Sequence, residues 1–537
     1  MLDATAIEER LLALEAQLAA LGVERDQLIV QRDQYKALYM EMLERCRKLE
    51  LGILGQKREK LSGEDGQLTM ALLEMLLANR EIPKPPAETT PVKTHERAKP
   101  TGRKPLPESL PRVYVELIPP EVQAQGLEAF DKIGEDITET VEYRPNSLVV
   151  VVTRKPKFAP KDRVRNTETK IVQAEPLELP IPGGMAGPGL LARTIVQRWD
   201  EHLPLYRLER IWGREGLELA RSTICNWHME LADLVAPLLD AMWADAMLAD
   251  YLCVDATGVL IQALEKCRNG HFFVVAAPER HVLFKFTPRH DKAAVDEILA
   301  GYKGHLVLDA HVVYDHLFGP GKAIESGCWS HNRRYYFKAL GSDPERARHA
   351  LAFIKALFMI ERAQATSPPE VRLAVRQRDS KKIVADFFAW CDANAAIVLD
   401  ETPISKAIGY SRNQREALER FLENGRLPIH NNFSERELRR EALGRKNWLF
   451  VGSEDGGHTN ASFVSLLASC QLHGIEPYAY LRDLFCLLPS WPVKRVLELA
   501  PVNWKQTLEK QDTQQLLAAN VLRQVSLGEL VPHASTK

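Results

Sequence analysis

Three acidic side chains, Asp255, Asp309 and Glu435, occupy sequence contexts that point to metal-dependent chemistry. Asp255 interrupts the apolar run YLCVDATGVLI, and Asp309 ends the apolar run HLVLD. A carboxylate inside an apolar strand is costly to bury unless it is paired or bound to a cation. Each aspartate alone could instead cap a turn at the end of a strand. Glu435 follows Asn431-Asn432 and precedes a basic run in PIHNNFSERELRREALGRKNW, which is typical either of a salt-bridged helix or of a metal-binding carboxylate beside a nucleic-acid groove.

The surrounding pattern predicts how these carboxylates are brought together. Residues 251–310 have a β-β-β-α-β order, with strands in YLCVDATGVLIQA, GHFFVVAAP and HVLFKFTP, a helix from about Asp291 to Ala300 and a fourth strand ending at Asp309. The first and fourth strands can then lie side by side, which places Asp255 next to Asp309. Two facing carboxylates repel unless a cation lies between them, and oxygen ligands favour Mg²⁺ or Mn²⁺. With Glu435 as a third ligand, two ions about 3.5–4 Å apart would support in-line phosphoryl transfer.

Composition restricts the class of protein. The chain has 537 residues, of which 45% are hydrophobic, and this length corresponds to about three to five domains. The net charge is only -2, so any nucleic-acid surface must be local. The eight cysteines include no Cys-x-x-Cys pair and therefore indicate neither a disulfide framework nor a zinc ribbon. No signal peptide and no membrane-spanning apolar run is evident, so we expect a cytoplasmic protein without a membrane partner.

The N-terminal part predicts self-association and a basic arm. Residues 5–50 carry apolar residues, mostly leucines, at 4-3 spacing that Arg25 and Arg32 interrupt. This pattern favours coiled-coil helices in residues 1–80 that assemble a homodimer or higher oligomer, although a single amphipathic helix packed on its own protein has the same pattern. Residues 81–112 form a proline-rich linker. Within it, Arg103 and Lys104 belong either to an arm that contacts DNA or to a solvated linker.

The remaining segments alternate in character. Residues 113–175 predict a small β-rich module, and residues 176–248 predict helices that contain a helix-turn-helix whose second helix is capped by Ser222 or Thr223. An ordinary helical hairpin would give the same pattern. The last group of segments comprises an α/β core in residues 249–330 and 428–500, a helical insertion in residues 331–427 and a C-terminal tail in residues 501–537.

Four long blocks resemble one known family in the same order along the chain. They are IPGGMAGPGLLARTIVQRWDEHLPLYRLERIW, GCWSHNRRYYFKAL, LPIHNNFSERELRREALGRKNWLFVGSEDGG and HGIEPYAYLRDLF. Together they resemble TnpC-type transposases of the insertion sequence sixty-six family, and the resemblance covers nearly the whole chain. Several long blocks are a far more specific signal than three acidic residues.

The resemblance implies an α/β multidomain protein around a ribonuclease-H-like catalytic core with an Asp-Asp-Glu triad. Carried over by position, the triad is Asp255, Asp309 and Glu435, with Mg²⁺ or Mn²⁺ as cofactor. The motif selects Glu435 over the neighbouring Glu437, which we interpret as a surface partner of nearby arginines. We assign DNA contacts to one further set of residues, which could alternatively serve as core and helix-end packing: His331, Arg333, Arg334, Arg436, Arg439, Arg445, Lys446 and Trp448.

Two features depart from the family pattern. Family members usually carry a cysteine-paired zinc module between the linker and the Pro-Gly-Gly segment, whereas residues 113–175 contain no cysteine. We therefore expect no zinc here. Position 430 is His where the family more often has Asp, which changes the charge beside the asparagine pair but leaves the triad intact.

The expected function is that of a bacterial DNA transposase, nucleoid-associated when bound to DNA. It would bind the terminal inverted repeats of its insertion sequence, cleave the 3′ ends in a metal-dependent reaction and transfer them to target DNA. Accessory proteins of the same element are further candidate partners. The alternatives are a metal-dependent nuclease without joining activity and a catalytically inactive relative that only binds DNA. A pure coiled-coil scaffold would leave the two aspartates in apolar strands unexplained.

Overall fold

Strands and helices alternate along the part of the chain that the structure describes. This computed structural model describes residues 105–145, 147–161, 171–263 and 266–530, together with residues 18, 21–23, 25–30, 32 and 39. Most of the predicted coiled coil, and both Arg103 and Lys104 of the basic arm, lie outside the described residues.

The strands fall into two sheets. In chain order they are β1 (Arg112–Glu116), β2 (Phe130–Arg144), β3 (Ser147–Pro160), β4 (Val172–Gln173), β5 (Tyr251–Ile261), β6 (Arg268–Ala277), β7 (His281–Thr287), β8 (His305–Val307), β9 (Ile324–Ser326) and β10 (Phe450–Val451). The α-helices are α1 (Pro120–Gln125), α2 (Pro188–Ile195), α3 (Leu205–Arg214), α4 (Arg221–Ala246), α5 (Lys292–Leu299), α6 (Trp329–Ala339), α7 (Pro344–Ala363), α8 (Pro369–Val375), α9 (Lys381–Ala395), α10 (Pro403–Asn413), α11 (Arg415–Glu419), α12 (Asn432–Trp448), α13 (Glu454–Leu472), α14 (Pro477–Leu487), α15 (Trp504–Glu509), α16 (Gln511–Ala519) and α17 (Val521–Leu527). The mixed α/β class predicted from the sequence is confirmed.

The larger sheet has the order β7-β6-β5-β8-β9, and β10 pairs with β5. Strands β5, β6 and β7 are antiparallel, whereas β8 is parallel to β5 and β9 is parallel to β8. The side-by-side placement of the first and fourth strands is therefore as predicted. One detail differs, because β8 ends at Val307 and Asp309 lies in the loop that follows it.

Helix α13 covers the outer edge of this sheet. The hydroxyl groups of Ser469 and Ser465 accept hydrogen bonds from the backbone amides of Val282 (3.1 Å) and Phe284 (2.7 Å) on edge strand β7. An uncovered edge strand would present unpaired backbone donors. Gly457 permits close contact, because a Cβ atom there would lie 2.6 Å from the Phe286 ring.

The smaller sheet consists of a long hairpin and two short strands. Strands β2 and β3 pair antiparallel over their length, β1 is parallel to β3, and β4 pairs with β3. Glu142, near the end of β2, is completely buried at the start of α2. Its Oε1 accepts hydrogen bonds from the amides of Tyr143 (2.8 Å) and Leu190 (3.0 Å). This carboxyl group therefore fastens the smaller sheet to the helical region that follows.

Helices α3 and α4 form the helix-turn-helix shape, and their turn contains Gly216 at φ 86°. A positive φ is the conformation that glycine adopts at low cost. Helix α4 begins at Arg221 after Ala220, and no side chain caps it. The predicted cap by Ser222 or Thr223 is therefore wrong, because both residues already lie in the first helical turn.

The chain divides into two structural units. One contains residues 103–333, 353–386 and 413–537, and it holds both sheets. The other contains residues 1–102, 334–352 and 387–412. In the second unit the hydroxyl of Tyr336 lies 2.9 Å from that of Ser411, and the Tyr335 and Tyr410 rings stack at 4.5 Å. Within the described residues, no helix is both long and apolar enough to cross a membrane.

Candidate active site

Asp255 and Asp309 lie at the same end of the larger sheet. The last aligned pair of β5 and β8 is Cys253 with Val307, and each aspartate follows its member of that pair by two residues. Because the two strands are parallel, both chains leave this pair in the same direction. Both side chains are half-buried. The Asp255 Oδ1 accepts a hydrogen bond from the amide of Ala256 at 2.8 Å.

The charges of Asp255 and Asp309 also affect the pKa of a common neighbour, Tyr314. Its phenol is almost fully buried in the turn Val312–Leu317. Burial raises the pKa of Tyr314 most, and the charges of Asp309 and Asp255 raise it further. Both carboxylates are therefore within electrostatic reach of a single hydroxyl group, which the sequence pattern did not identify.

Helix α12 brings the third acidic residue to this region. Asn431, immediately before the helix, donates from its side-chain amide to the backbone carbonyl of Val254 at 2.8 Å. Its backbone amide donates to the Cys328 sulfur at 3.2 Å. Glu435 lies one turn into the helix, and its amide donates to the Asn431 carbonyl at 3.3 Å. The partial positive charge of a helix N-terminus favours a carboxylate at this position.

His331 on α6 lies beside Glu435. Its Nε2 lies 3.5 Å from the Glu435 Oε1, and the two side chains are 15% and 27% exposed. The preceding Trp329 is fully buried and donates from its indole to the Leu418 carbonyl at 2.9 Å. Buried Cys328 and Trp329 thus anchor the start of α6, and His331 faces the glutamate.

The basic side chains of α12 fall into two groups. Arg439 and Lys446 are exposed, and they follow Glu435 by four and eleven residues, so all three lie along one line of the helix. Arg445, in contrast, donates to the Thr257 hydroxyl at 3.0 Å and to the Gly258 carbonyl. It therefore fastens the end of α12 to β5.

Trp448 and Arg436 are also engaged within the chain. Trp448 is half-buried at the end of α12, with the Arg198 guanidinium 5.5 Å from its ring centroid. Arg436 is exposed, and its guanidinium lies 5.0 Å from the Phe433 ring centroid and 3.2 Å from the Glu437 carboxylate. Arg333 and Arg334 are exposed on α6.

The prediction that Glu437 is a surface residue is wrong. Glu437 is only 8% exposed, although it does pair with Arg436 and with Arg440 at 3.4 Å. The third glutamate, Glu441, is buried as well, and burial raises its pKa to about 7. Of the three glutamates on α12, Glu435 has the most accessible side chain.

A row of histidines lies beside Asp309. The His271 and His290 rings stack at 4.8 Å, and the His290 and His311 rings lie 5.0 Å apart. Burial lowers the pKa of His290 and adjacent His311 lowers it further, whereas the Asp309 charge opposes the shift. In the sequence, this row is indicated only by His311, which follows Asp309 by two residues. His271 and His290 are distant in the sequence and come close to Asp309 only in the folded chain.

The three candidate carboxylates can be compared with the ligands that a divalent metal ion prefers. Carboxylate oxygens of Asp255, Asp309 and Glu435 are ligands that Mg²⁺ and Mn²⁺ prefer, so their chemistry fits. Among the described residues, no three His, Cys, Asp or Glu side chains are already close enough together to hold an ion. Asp255 and Asp309 lie at one end of the sheet, and α12 starts next to it. In the described part of the chain, their carboxylates and that of Glu435 do not form a ready-made cluster of three ligands.

Comparison with known proteins supplies the family. Residues 183–459 match the family model described as "Transposase IS66 family", and residues 465–502 match "IS66 C-terminal element". Residues 41–115 match "Transposase C of IS166 homeodomain", which spans the end of the predicted coiled coil and the linker.

Two relatives can be aligned with most of the chain. The uncharacterized protein y4hP of Sinorhizobium fredii (strain NBRC 101917 / NGR234) is 30% identical over 491 residues, covering 86% of this chain and 88% of that protein. The uncharacterized protein y4qI of the same strain is 31% identical over 471 residues, covering 84% and 86%. Since the first family model alone spans more than half of the 537 residues, the chain belongs to the IS66 family of transposases, which bind and process DNA.

Proposed function

We propose that this chain is an Asp-Asp-Glu transposase that binds the terminal inverted repeats of its insertion sequence, cleaves their 3′ ends and transfers them to target DNA. One observation carries the proposal: the parallel pairing of β5 with β8 and the Asn431–Val254 hydrogen bond direct Asp255, Asp309 and the start of α12 to one end of the sheet. The strand order β7-β6-β5-β8-β9 supports a ribonuclease-H-like core.

In this proposal the three carboxylates hold Mg²⁺ or Mn²⁺. The bound ions would activate a water or a 3′-hydroxyl and stabilise the leaving oxygen of an in-line phosphoryl transfer. His331 would orient the Glu435 carboxylate through the 3.5 Å contact between them. The N-terminus of α12 would stabilise the negative charge of Glu435. Tyr314, close to both aspartates, would support the loop that carries Asp309.

The DNA would follow the exposed basic line of α12. Arg439 and Lys446 lie on the same line as Glu435 and would neutralise phosphates next to the cleaved bond. A neighbouring cleft of about 460 Å³ is lined by Arg436, Arg439 and His202, among others, and extends the basic surface. Arg333 and Arg334, exposed on α6, are further candidates for DNA contacts.

Recognition of the element's ends would come from other segments. Helices α3 and α4 have the shape of a helix-turn-helix, and the match to a homeodomain-type model at residues 41–115 adds a second candidate DNA-binding segment. Self-association through the N-terminal helices would pair two element ends, with accessory proteins of the element as further partners.

The test is cleavage of labelled DNA from the ends of the protein's own element. We expect 3′-hydroxyl nicks at the element tip with Mg²⁺ or Mn²⁺, no nicks in EDTA, and full recovery when the ion is restored. Asp255→Asn should bind the same DNA and leave it intact. Cleavage that survives in Asp255→Asn would refute the assigned site.

The products distinguish the transposase from its alternatives. Joining of the new 3′ ends to an added target plasmid supports the proposal. Cleavage without any joined product indicates a metal-dependent nuclease. Specific binding to the ends without cleavage, even when the element's other proteins are added, indicates a relative that only binds DNA.

A further inference from the structure

A second cleft of about 410 Å³ opens beside the candidate active site. It lies between the C-terminal part of α7, helix α8 and the loop that leads into α12. Its wall combines apolar and polar side chains. Among them are Ser330, Phe358, Arg372, Arg376, His430 and Asn432. Its volume falls in the range of pockets that enclose a small organic molecule, about 300–1,000 Å³.

Backbone contacts fix this cleft next to Glu435. The amide of Trp329 donates to the Ile429 carbonyl at 3.1 Å, which joins the start of α6 to the loop before α12. Ser330 in the wall directly precedes His331, the partner of Glu435. Asn432 in the wall is the first residue of α12 and precedes Glu435 by three. A ligand in the cleft would therefore adjoin the phosphate that the carboxylates act on.

Two of the three arginines that line the cleft, buried Arg376 and half-buried Arg372, are engaged in hydrogen bonds within the protein. Arg376 uses all five of its N–H donors: two contact the Glu361 carboxylate at 2.7 and 2.6 Å, and three contact the carbonyls of Phe421, Asn424 and Leu427 at 2.8–2.9 Å. Arg372 donates to four backbone carbonyls at 3.2–3.3 Å. Both side chains thus join backbone segments at the base of the cleft, and Glu361 neutralises the charge of Arg376.

Arg362, the third arginine, is exposed at the cleft and suits an adjoining phosphate, whereas the other remaining groups suit a flat ring with polar edges. Phe358 is half-buried in the wall, and its ring lies 6.0 Å from the His430 ring at an angle of 59°. The Nδ1 of His430 is buried without a hydrogen-bond partner in the described part of the chain. The side chains of Ser330 and Asn432 add a hydroxyl and an amide to the rim. An aromatic face next to hydrogen-bonding groups is the arrangement that binds an unstacked nucleobase.

We infer that this cleft receives one nucleobase that leaves the DNA stack next to the cleaved phosphate. The inference rests on the proposed function, because it takes DNA as the substrate. Phe358 stacks on the base, and His430 with Ser330 or Asn432 contacts its polar edge. Movement of one base out of the stack changes the backbone geometry at the phosphate on which the carboxylates act.

The experiment uses the full-length protein and duplexes that end at the element tip. Each duplex carries 2-aminopurine or a single abasic site at one position near the cleavage point. Binding is measured with Ca²⁺ in place of Mg²⁺, so that probe emission and anisotropy are recorded before cleavage. Phe358→Ala is compared with Phe358→Trp, which keeps an aromatic ring, and with Met359→Ala, a truncation of the exposed neighbour on the same helix.

We expect one position at which the 2-aminopurine emission changes on binding and its neighbours do not. Phe358→Ala should abolish that change and slow cleavage of fully paired DNA by roughly tenfold, as expected from the loss of one base–aromatic stack. An abasic site at the same position should make the wild type and Phe358→Ala cleave at similar rates, because no base then needs the pocket. Phe358→Trp and Met359→Ala should behave like the wild type.

Cleavage that is equally fast in Phe358→Ala and Met359→Ala would overturn the inference and leave the transposase proposal intact. Uniform probe emission at every position would do the same. If the wild type cleaves none of the duplexes, the proposed reaction fails. The position-dependent emission on binding then tests by itself whether the cleft receives a base.

Discussion

Asn431 donates its side-chain amide to the carbonyl of Val254 at 2.8 Å, and both residues are completely buried. Val254 is the residue before Asp255, and Asn431 precedes Glu435 by one helical turn. This hydrogen bond therefore couples the strand of one candidate catalytic carboxylate to the helix of another, although the two segments are far apart in the sequence.

Replacement of Asn431 should damage the site through this bond. Asn431→Ala leaves the Val254 carbonyl without its donor, and an unsatisfied buried polar group costs about 1–3 kcal/mol. We expect a lower free energy of unfolding of that size and a loss of cleavage greater than tenfold. DNA affinity, measured by anisotropy, should remain close to that of the wild type, because Asn431 itself does not face solvent.

Asn447→Ala is the matched control for that experiment. It removes the same type of side chain from the far end of α12, but Asn447 is exposed and its side chain donates to the Leu443 carbonyl of the same helix at 3.4 Å. Equal loss of cleavage in Asn431→Ala and Asn447→Ala would mean that the bond to Val254 has no special role in placing α12.

The two neighbouring glutamates of α12 should differ sharply in function. Glu435→Gln removes a carboxylate that faces His331 at 3.5 Å, whereas Glu437→Gln changes a buried partner of Arg436 and Arg440. We expect Glu435→Gln to reduce single-turnover cleavage at least a hundredfold more than Glu437→Gln does, with thermal unfolding affected more in Glu437→Gln. The reverse order of activities would shift the assignment of the third carboxylate to Glu437.

Arg439 should contribute to DNA affinity through a phosphate. It is exposed one turn after Glu435, on the line that also contains Lys446. We expect Arg439→Gln to weaken binding to all duplexes and to lower the slope of log affinity against log salt by about 1, as for loss of one phosphate contact. Lys505→Gln removes an exposed cation from α15 and serves as the control. An unchanged slope for Arg439→Gln would exclude a phosphate contact at this position.

Local pattern was sufficient for the first four strands of the larger sheet and for the adjacency of β5 and β8, but not for the short strands β9 and β10. The apolar runs around Asp255 and before Asp309 are strong strand signals, and a helical crossover predicts parallel neighbours. The position of Asp309 was less predictable. Pairing of β8 with β5 ends at Val307 and Cys253, although β5 itself continues to Ile261, and a sequence run does not reveal where pairing ends.

The surroundings of the site depend on contacts between distant segments. Glu437 has the sequence context of a surface residue, yet its side chain is buried, with Arg440 of the same helix 3.4 Å from its carboxylate. The histidine row joins β6, the end of the β7 segment and the loop after Asp309. Pattern within one segment carries no information about contacts between distant segments. The resemblance of whole blocks compares the segments together, and it is the basis on which the triad is proposed.

Glu142 provides a test of how the smaller sheet is fastened to α2. Its carboxyl group occupies space left by Gly187 and Gly189, since a Cβ at either position would lie 2.1–2.3 Å from a Glu142 oxygen. Burial raises the pKa of Glu142 to about 8, although backbone amides oppose the shift. The folded protein therefore holds a proton on this group at pH values where the unfolded chain, with a pKa near 4.5, has lost it.

The sign of the pH effect follows from this difference. Between about pH 4.5 and pH 8 the folded state binds more protons than the unfolded state, so the contribution of Glu142 to stability is complete below pH 4.5 and declines as the pH rises. Glu142→Gln keeps the shape and an uncharged side chain, and we expect it to flatten the decline in unfolding free energy over that window. Glu139→Gln, a half-exposed position on the same strand, should retain the wild-type profile. Parallel profiles for all three proteins would mean that Glu142 is already ionised in the folded state.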